Sequence, residues 1–203
     1  MNMLKRLFDL FFAVLGMIIL SPFLLITAIL IKIASPGPVF YRGERVGKNL
    51  KIFRIFKFRS MVVDAEKLGG PSTAGDDKRL TKIGKLLRKY KLDELPQLFN
   101  VIKGEMSFVG HRPDVKSYVD RLPEKERSLI FSIKPGITDW ASLWDSQEEE
   151  VLRGSVDPDK AYDKKIWPTK IKLQLKYVRN RSFLTDLKII LQTIKKIFLS
   201  GKR

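Results

Sequence analysis

"LFFAVLGMIILSPFLLITAILI", residues 10–31, runs for 22 positions without a charged side chain. At about 1.5 Å rise per residue, it would reach roughly 30 Å as a helix, the thickness of a hydrocarbon core. It is apolar on every face, unlike the one-sided stripe of a surface helix in a soluble domain. It is also too long for the apolar region of a signal peptide, and no small-residue cleavage site follows it. The stretch places the chain in a membrane.

How it sits there turns on Ser21-Pro22, in the middle of the run. Proline removes a backbone donor and crowds the preceding turn. A bent spanning helix is one outcome. Charge favours another. Lys5 and Arg6 precede the run, and Lys32, Arg42, Arg45, Lys48, Lys51 and Arg54 follow it. Positive residues favour the cytoplasmic side, so positives at both ends fit a helix that enters and leaves by one face, hinged at Ser21-Pro22.

The rest of the 203 residues suffices for one domain with a real core, so the division is a membrane helix over 1–35 and a cytoplasmic domain over 36–203. Lysine and arginine total 39 against 22 acids, a formal net charge of +17. That excess calls for an anionic partner: nucleic acid, a phosphorylated substrate or an anionic lipid surface. With no cysteine, disulfides and thiolate zinc sites are excluded. A single histidine, His111, argues against a Ser-His-Asp triad or a His-rich metal site.

Along the domain, "ASPGPVF" (34–40) is a breaker cluster that ends the membrane helix. "VFYRGERVGKNLKIFRIFKFRSM" (39–61) reads as two short strands joined by a turn over Gly43–Lys48. "DAEKLGGPSTAGDD" (64–77) is a polar surface loop, free to move. "TKIGKLLRKYK" (81–91) has apolar residues at 83, 86, 87 and 90, a helical stripe with cations opposite. Residues 114–131 read as helix interrupted near Pro123, "KPGIT" (134–138) as a turn, and "DSQEEE" (145–150) as a solvated acidic patch. From Phe183 on, apolar residues at 183, 184, 187, 190, 191 and 194 alternate with Lys188, Lys195 and Lys196. That is an amphipathic helix suited to a core or to a membrane interface.

Chemistry concentrates in "LLRKYKLDELPQLFN" (86–100), where Asp93 and Glu94 stand together after Arg88, Lys89 and Lys91. Lys57, Arg59, Arg79, Lys85, Arg88 and Arg112 surround this pair in the stretch from 57 to 113. Phosphate oxygens call for such a lining, with arginine forks giving bidentate geometry. A carboxylate among cations stays ionised, and can attack phosphorus once its target is neutralised by a divalent ion. Magnesium takes one or two carboxylates together with substrate phosphates. Pro96 permits a helix N-terminus, whose amides also favour anions. Without any family, salt bridges on a helix face are the stronger reading of the same residues, since an Asp-Glu dipeptide is common.

A resemblance does bear on the choice. "PVFYRGERVGKN", "FKFRSM", "DDKRLTKIGKLLRKYKLDELPQLFNVIKGEMSFVGHRP" and "KPGIT" resemble successive motifs of the bacterial sugar transferases, the small monotopic phosphoglycosyl transferases. The likeness runs on to "NRSFLTDLKIILQT" near the end of the chain. It implies an α+β fold: a re-entrant membrane helix broken at Ser21-Pro22, then a mainly helical cytoplasmic domain with a short β-hairpin and interfacial amphipathic helices. It implies transfer of a sugar-1-phosphate from a UDP-sugar to polyprenyl (undecaprenyl) phosphate at the cytoplasmic face of the bacterial inner membrane. The family's catalytic dyad falls on Asp93 and Glu94, with Asp93 the nucleophile through a phosphosugar-aspartyl intermediate. Glu94 would help position Mg2+ or the reacting groups, so both acids are candidate metal ligands. Lys57, Arg59, Arg79, Arg88 and Arg112 match positions that would bind phosphate, and Lys5 and Arg6 would sit among headgroups. The implied partners are the UDP-sugar, polyprenyl phosphate and membrane lipids rather than nucleic acid; a homodimer stays open.

Three departures mark this chain. His111 stands where the family usually has proline, and a neutral space-filling histidine is expected there. After Thr138 the sequence leaves the usual Gly-Trp-Ala-Gln pattern. Gln174 replaces an aspartate, whose role would be unfilled or taken by Asp139 or Asp145. A non-catalytic basic module, or an inactive member of the same fold, is the competing expectation. The sugar and the glycan pathway are not legible.

Overall fold

The computed structural model describes residues 3–70, 72–144 and 151–200; the acidic patch with Asp145 lies outside them. Helix α1 spans Met3–Ala34, about 48 Å at 1.5 Å per residue. Along it only Asp9, Ala13, Thr27 and Ile31 are buried. Ala13 packs with Phe53, Ile55, Leu98, Val101 and Met106, while Ile31 packs with Phe58 and Leu87. The domain therefore lies against both halves of one helical stripe. On the remaining circumference Leu7, Phe11, Ile18, Ile19, Leu25 and Ile33 are more than half exposed. Each would cost about 1.5–3 kcal/mol if left in water, which a lipid surround removes.

The expected break at Ser21-Pro22 is not an interruption of the helix, which continues through Pro22. The reason is local. Proline offers no N–H to the Ile18 carbonyl, and the Ser21 hydroxyl donates to that oxygen instead, at 2.8 Å.

The basic residues expected among headgroups turn inward. Lys5 Nζ donates to Asp186 Oδ2 at 2.5 Å and to the Val109 carbonyl at 3.2 Å. Arg6 donates from Nη1 and Nη2 to the carbonyls of Val101 (2.7 Å) and Ile102 (2.9 Å). At the other end, Arg59 donates from Nη2 to the Ser35 carbonyl at 2.9 Å and from Nη1 to the Pro36 carbonyl at 2.5 Å. These contacts tie both ends of α1 to the same domain.

Residues 40–58 form a long antiparallel hairpin with a bend in its middle. β1 (Phe40–Tyr41) pairs with β4 (Lys57–Phe58), and β2 (Glu44–Val46) with β3 (Ile52–Arg54). The turn lies at Gly47–Lys51 rather than Gly43–Lys48, with Asn49 and Leu50 both at positive φ. Gly43 instead sits at the bend, where its carbonyl accepts from the Ile55 amide at 3.1 Å.

Helix α2 (Lys82–Lys89) forms where its stripe predicts, capped by Thr81 Oγ1, which accepts from the Gly84 amide at 2.9 Å. A Cβ at Gly84 would lie 1.9 Å from the Ser60 carbonyl oxygen, so only glycine lets α2 approach that backbone. A 3₁₀ turn, Leu92–Gln97, leads into α3 (Leu98–Lys103). The 114–131 segment forms two helices, α4 (Lys116–Val119) and α5 (Glu124–Ile130), parted at Pro123. "KPGIT" holds more than a turn: β6 (Gly136–Thr138) pairs in parallel with β5 (Ser107–Val109). Helices α6 (Trp140–Trp144), α7 (Pro158–Lys165), α8 (Trp167–Arg179) and α9 (Phe183–Ser200) complete the described chain.

Candidate active site

The chain leaves α2 through Lys91, which adopts φ 55° and ψ 21°, a left-handed conformation that costs a non-glycine residue of order 1 kcal/mol. That turn swings the 3₁₀ segment against β4 and buries Asp93, which is 5% exposed. Glu94 Oε1 accepts from Lys57 Nζ at 2.7 Å and from Arg112 Nη2 at 3.4 Å. Asp93 Oδ1 is buried without a protein partner. The two acids thus differ: one is held by cations, the other keeps a buried oxygen without a protein partner.

Their proton affinities separate accordingly. Burial works to raise Glu94, but Lys57, Arg112 and Lys91 outweigh it and hold the group well below the usual carboxylate range. Burial raises Asp93, and the neighbouring Glu94 charge adds to it, against the opposing pull of Lys57, Arg88 and Lys91. The expectation that cations simply keep the pair ionised holds for Glu94. For Asp93 desolvation wins.

Both acids open onto a cavity of about 950 Å³, within the size range of small-molecule sites. Lys57, Arg88 and Arg112 line it beside them. Arg59 and Arg79 also reach its wall, but their guanidinium groups are engaged elsewhere. Arg59 clamps the end of α1, as above. Arg79 grips Asp77 through Nε and Nη2 (3.0 and 2.7 Å) and donates to the carbonyls of Ala65, Gly70 and Ser72. It laces down the 64–77 loop that the sequence leaves free. Lys85 points to solvent on α2. The helix-terminus idea at Pro96 fares poorly: α3 begins only at Leu98 and has six residues.

His111 is fully buried, its ring edge-on to Phe131 at 4.5 Å, and burial pushes its pKa down to about 4. It is neutral at physiological pH, as expected of a space-filling ring. Gln174 is buried on α8 with no partner for Nε2. Asp139 is buried as well, and its Oδ1 accepts from the Ser142 amide at 2.6 Å, capping α6.

The sequence reading missed residues that line the same cavity: Arg42, Arg45, Ser72, Tyr118, Tyr162 and Lys170. Lys170 is buried and donates to Asp114 Oδ1 at 2.9 Å and to the Tyr162 hydroxyl at 2.6 Å. Its signal was a lysine on the apolar stripe of 167–179, visible only once that stretch is read as helix.

Among the described residues no three acids or histidines converge, so the site is not an all-protein metal cage. A carboxylate pair beside a cationic cavity is the donor chemistry magnesium takes, and Asp93 Oδ1, buried without a protein partner, is an oxygen not already committed.

A long apolar helix thus packs on a domain whose buried carboxylate pair faces a cavity lined by cations. The chain belongs to the bacterial sugar transferase family, whose model matches residues 1–200. It is 39% identical over 197 residues to the UDP-N-acetylgalactosamine-undecaprenyl-phosphate N-acetylgalactosaminephosphotransferase of Aeromonas hydrophila, covering 96% of this chain and 43% of that protein. It is 39% identical over 202 residues to the undecaprenyl-phosphate glucose phosphotransferase of Komagataeibacter xylinus, covering 97% and 36%. With the exopolysaccharide production protein PSS of Rhizobium leguminosarum bv. phaseoli, identity is 38% over 208 residues, covering 98% and 97%. The chain thus spans less than half of the first two relatives and nearly all of the third.

Proposed function

We propose that the protein is a phosphotransferase that moves a sugar-1-phosphate from a UDP-sugar to undecaprenyl phosphate, initiating glycan assembly. The observation that carries this reading is the asymmetric pair: Asp93 with an unpartnered buried oxygen, next to Glu94 locked by Lys57 and Arg112. Asp93 attacks the sugar-bearing phosphorus. A P–O bond forms to its carboxylate, the bond to the leaving oxygen breaks, and the electron pair departs on UMP. A phosphate oxygen of the lipid then attacks the same phosphorus, and the aspartyl C–O–P linkage opens to restore the carboxylate.

A raised pKa suits this role, because a less stabilised carboxylate is a stronger nucleophile once ionised. Glu94 keeps Lys57 and Arg112 in register, and with Arg88 those cations receive the phosphate oxygens. We assign Arg59 and Arg79 to structure instead. Magnesium, held by Asp93, Glu94 or both, would neutralise the diphosphate.

The same contacts support one topology: with its two ends bound to one domain through Lys5, Arg6 and Arg59, the unbroken α1 keeps both ends on one side of the bilayer, and the domain lies on the cytoplasmic face of the inner membrane. The test of function is to incubate purified protein with Mg2+, undecaprenyl phosphate and a panel of UDP-sugars. UMP is released with at least one donor and not by Asp93→Asn. Full activity in that variant removes Asp93 as nucleophile.

A further inference from the structure

One wall of the cavity is built from hydroxyl groups. Ser72 Oγ and the Tyr118 hydroxyl lie 3.0 Å apart, and both residues line the cavity. Behind them Asp159 Oδ1 accepts from the Ser72 amide at 3.0 Å and from the Tyr118 hydroxyl at 3.3 Å. This fixes proton directions. A carboxylate can only accept, so Tyr118 donates to Asp159, and Ser72 in turn donates to the Tyr118 oxygen. Burial pushes the Tyr118 phenol up to about 12, so it keeps the proton this chain requires. Ser72 is left with lone pairs to offer a ligand.

The loop bearing Ser72 is set in place for this. A Cβ at Gly69 would lie 2.9 Å from Arg79 Nη1, and one at Gly70 would lie 1.9 Å from Asp159 Oδ2. The paired glycines let the backbone pass between these two side chains.

The chemistry of the wall narrows what it receives. The Tyr118 ring packs on Trp167 (5.2 Å between centroids) and Tyr162 (5.3 Å), and Arg121 stands 5.3 Å over it. Its faces are occupied, so Tyr118 brings an oxygen rather than a flat platform for a nucleobase. Its carboxylate backing is unsuited to the diphosphate, which belongs with Lys57, Arg88 and Arg112.

Resting on the function proposed above, we infer that Ser72, oriented by Tyr118 and Asp159, accepts a hydrogen bond from a hydroxyl or amide N–H of the transferred sugar and so sets donor specificity. Tyr118→Phe keeps the ring and frees the Ser72 proton; Ser72→Ala removes the acceptor. Steady-state kinetics would cover UDP-hexoses, UDP-N-acetylhexosamines and monodeoxy analogues of the best donor, with UMP inhibition measured alongside. In both variants kcat/KM for the preferred donor falls roughly tenfold, while one deoxy analogue is hardly affected. UMP inhibition stays unchanged, since UMP carries no sugar.

Two results overturn the inference: unchanged discrimination among donors in both variants, or UMP inhibition weakening in step with kcat/KM. Absence of UMP release by the wild-type protein with every donor instead sinks the underlying function, and the inference with it.

Discussion

Asp93 carries a charge that the fold disfavours, and this yields two expectations. Because its folded pKa lies above the ordinary value of about 3.9, the native state binds more protons than the unfolded chain between the two values. Its contribution to stability therefore falls as pH rises from the unfolded pKa through the raised one, and the cost is fully present above the raised one. Asp93→Asn abolishes transfer yet stabilises the protein by about 1 kcal/mol, a rise of roughly 2–4 °C in Tm, measured by thermal melting at pH 7.5. In the wild type, the burst of UMP release falls on acidification through a pKa above the ordinary aspartate value. Stopped-flow measurement from pH 4 upward checks it. The sequence made the pair and its cations visible, but it did not show that one acid is bonded to cations while the other keeps a buried, unpartnered oxygen. Charge is legible along a chain; the partner it turns toward is not, as Arg59 and Arg79 demonstrate.

The placement of Asp93 and Glu94 depends on how α2 delivers them. Replacing Gly84 by alanine gains about 1 kcal/mol of helix propensity. It also drives a methyl to 1.9 Å from the Ser60 carbonyl oxygen, a backbone atom that cannot rotate away. Overpacking of this kind costs about 1–3 kcal/mol, so the clash wins. Gly84→Ala is expected to lower Tm by several degrees and to slow UMP release through displaced Asp93; a neutral or raised Tm would show that α2 can shift freely. Helix α2 and the Pro123 boundary were readable because their signals are local: an apolar stripe, a threonine cap, a proline. The β5–β6 pair was not. Its two strands have three residues each, with 26 residues between Val109 and Gly136, and parallel pairing leaves no turn signature between them.

At the scale of the molecule, α1 lies along its domain with an apolar circumference turned outward. The chain lacks cysteine, so single introduced cysteines report accessibility without background. Met3→Cys and Lys51→Cys, both at exposed positions, are expected to react with a membrane-impermeant maleimide from the same face of oriented vesicles. Reaction from opposite faces would make α1 a spanning helix. By itself the sequence determined that a long apolar helix leads a basic, cysteine-free domain, because hydrophobicity and charge are properties of composition and order. Only the tertiary structure decided which protein groups Lys5, Arg6 and Arg59 bond. It likewise decided that Ser72, Tyr118 and Lys170 line the same cavity as the acidic pair. Those roles arise from contacts between residues far apart in the chain, whose geometry exists only after the core has packed.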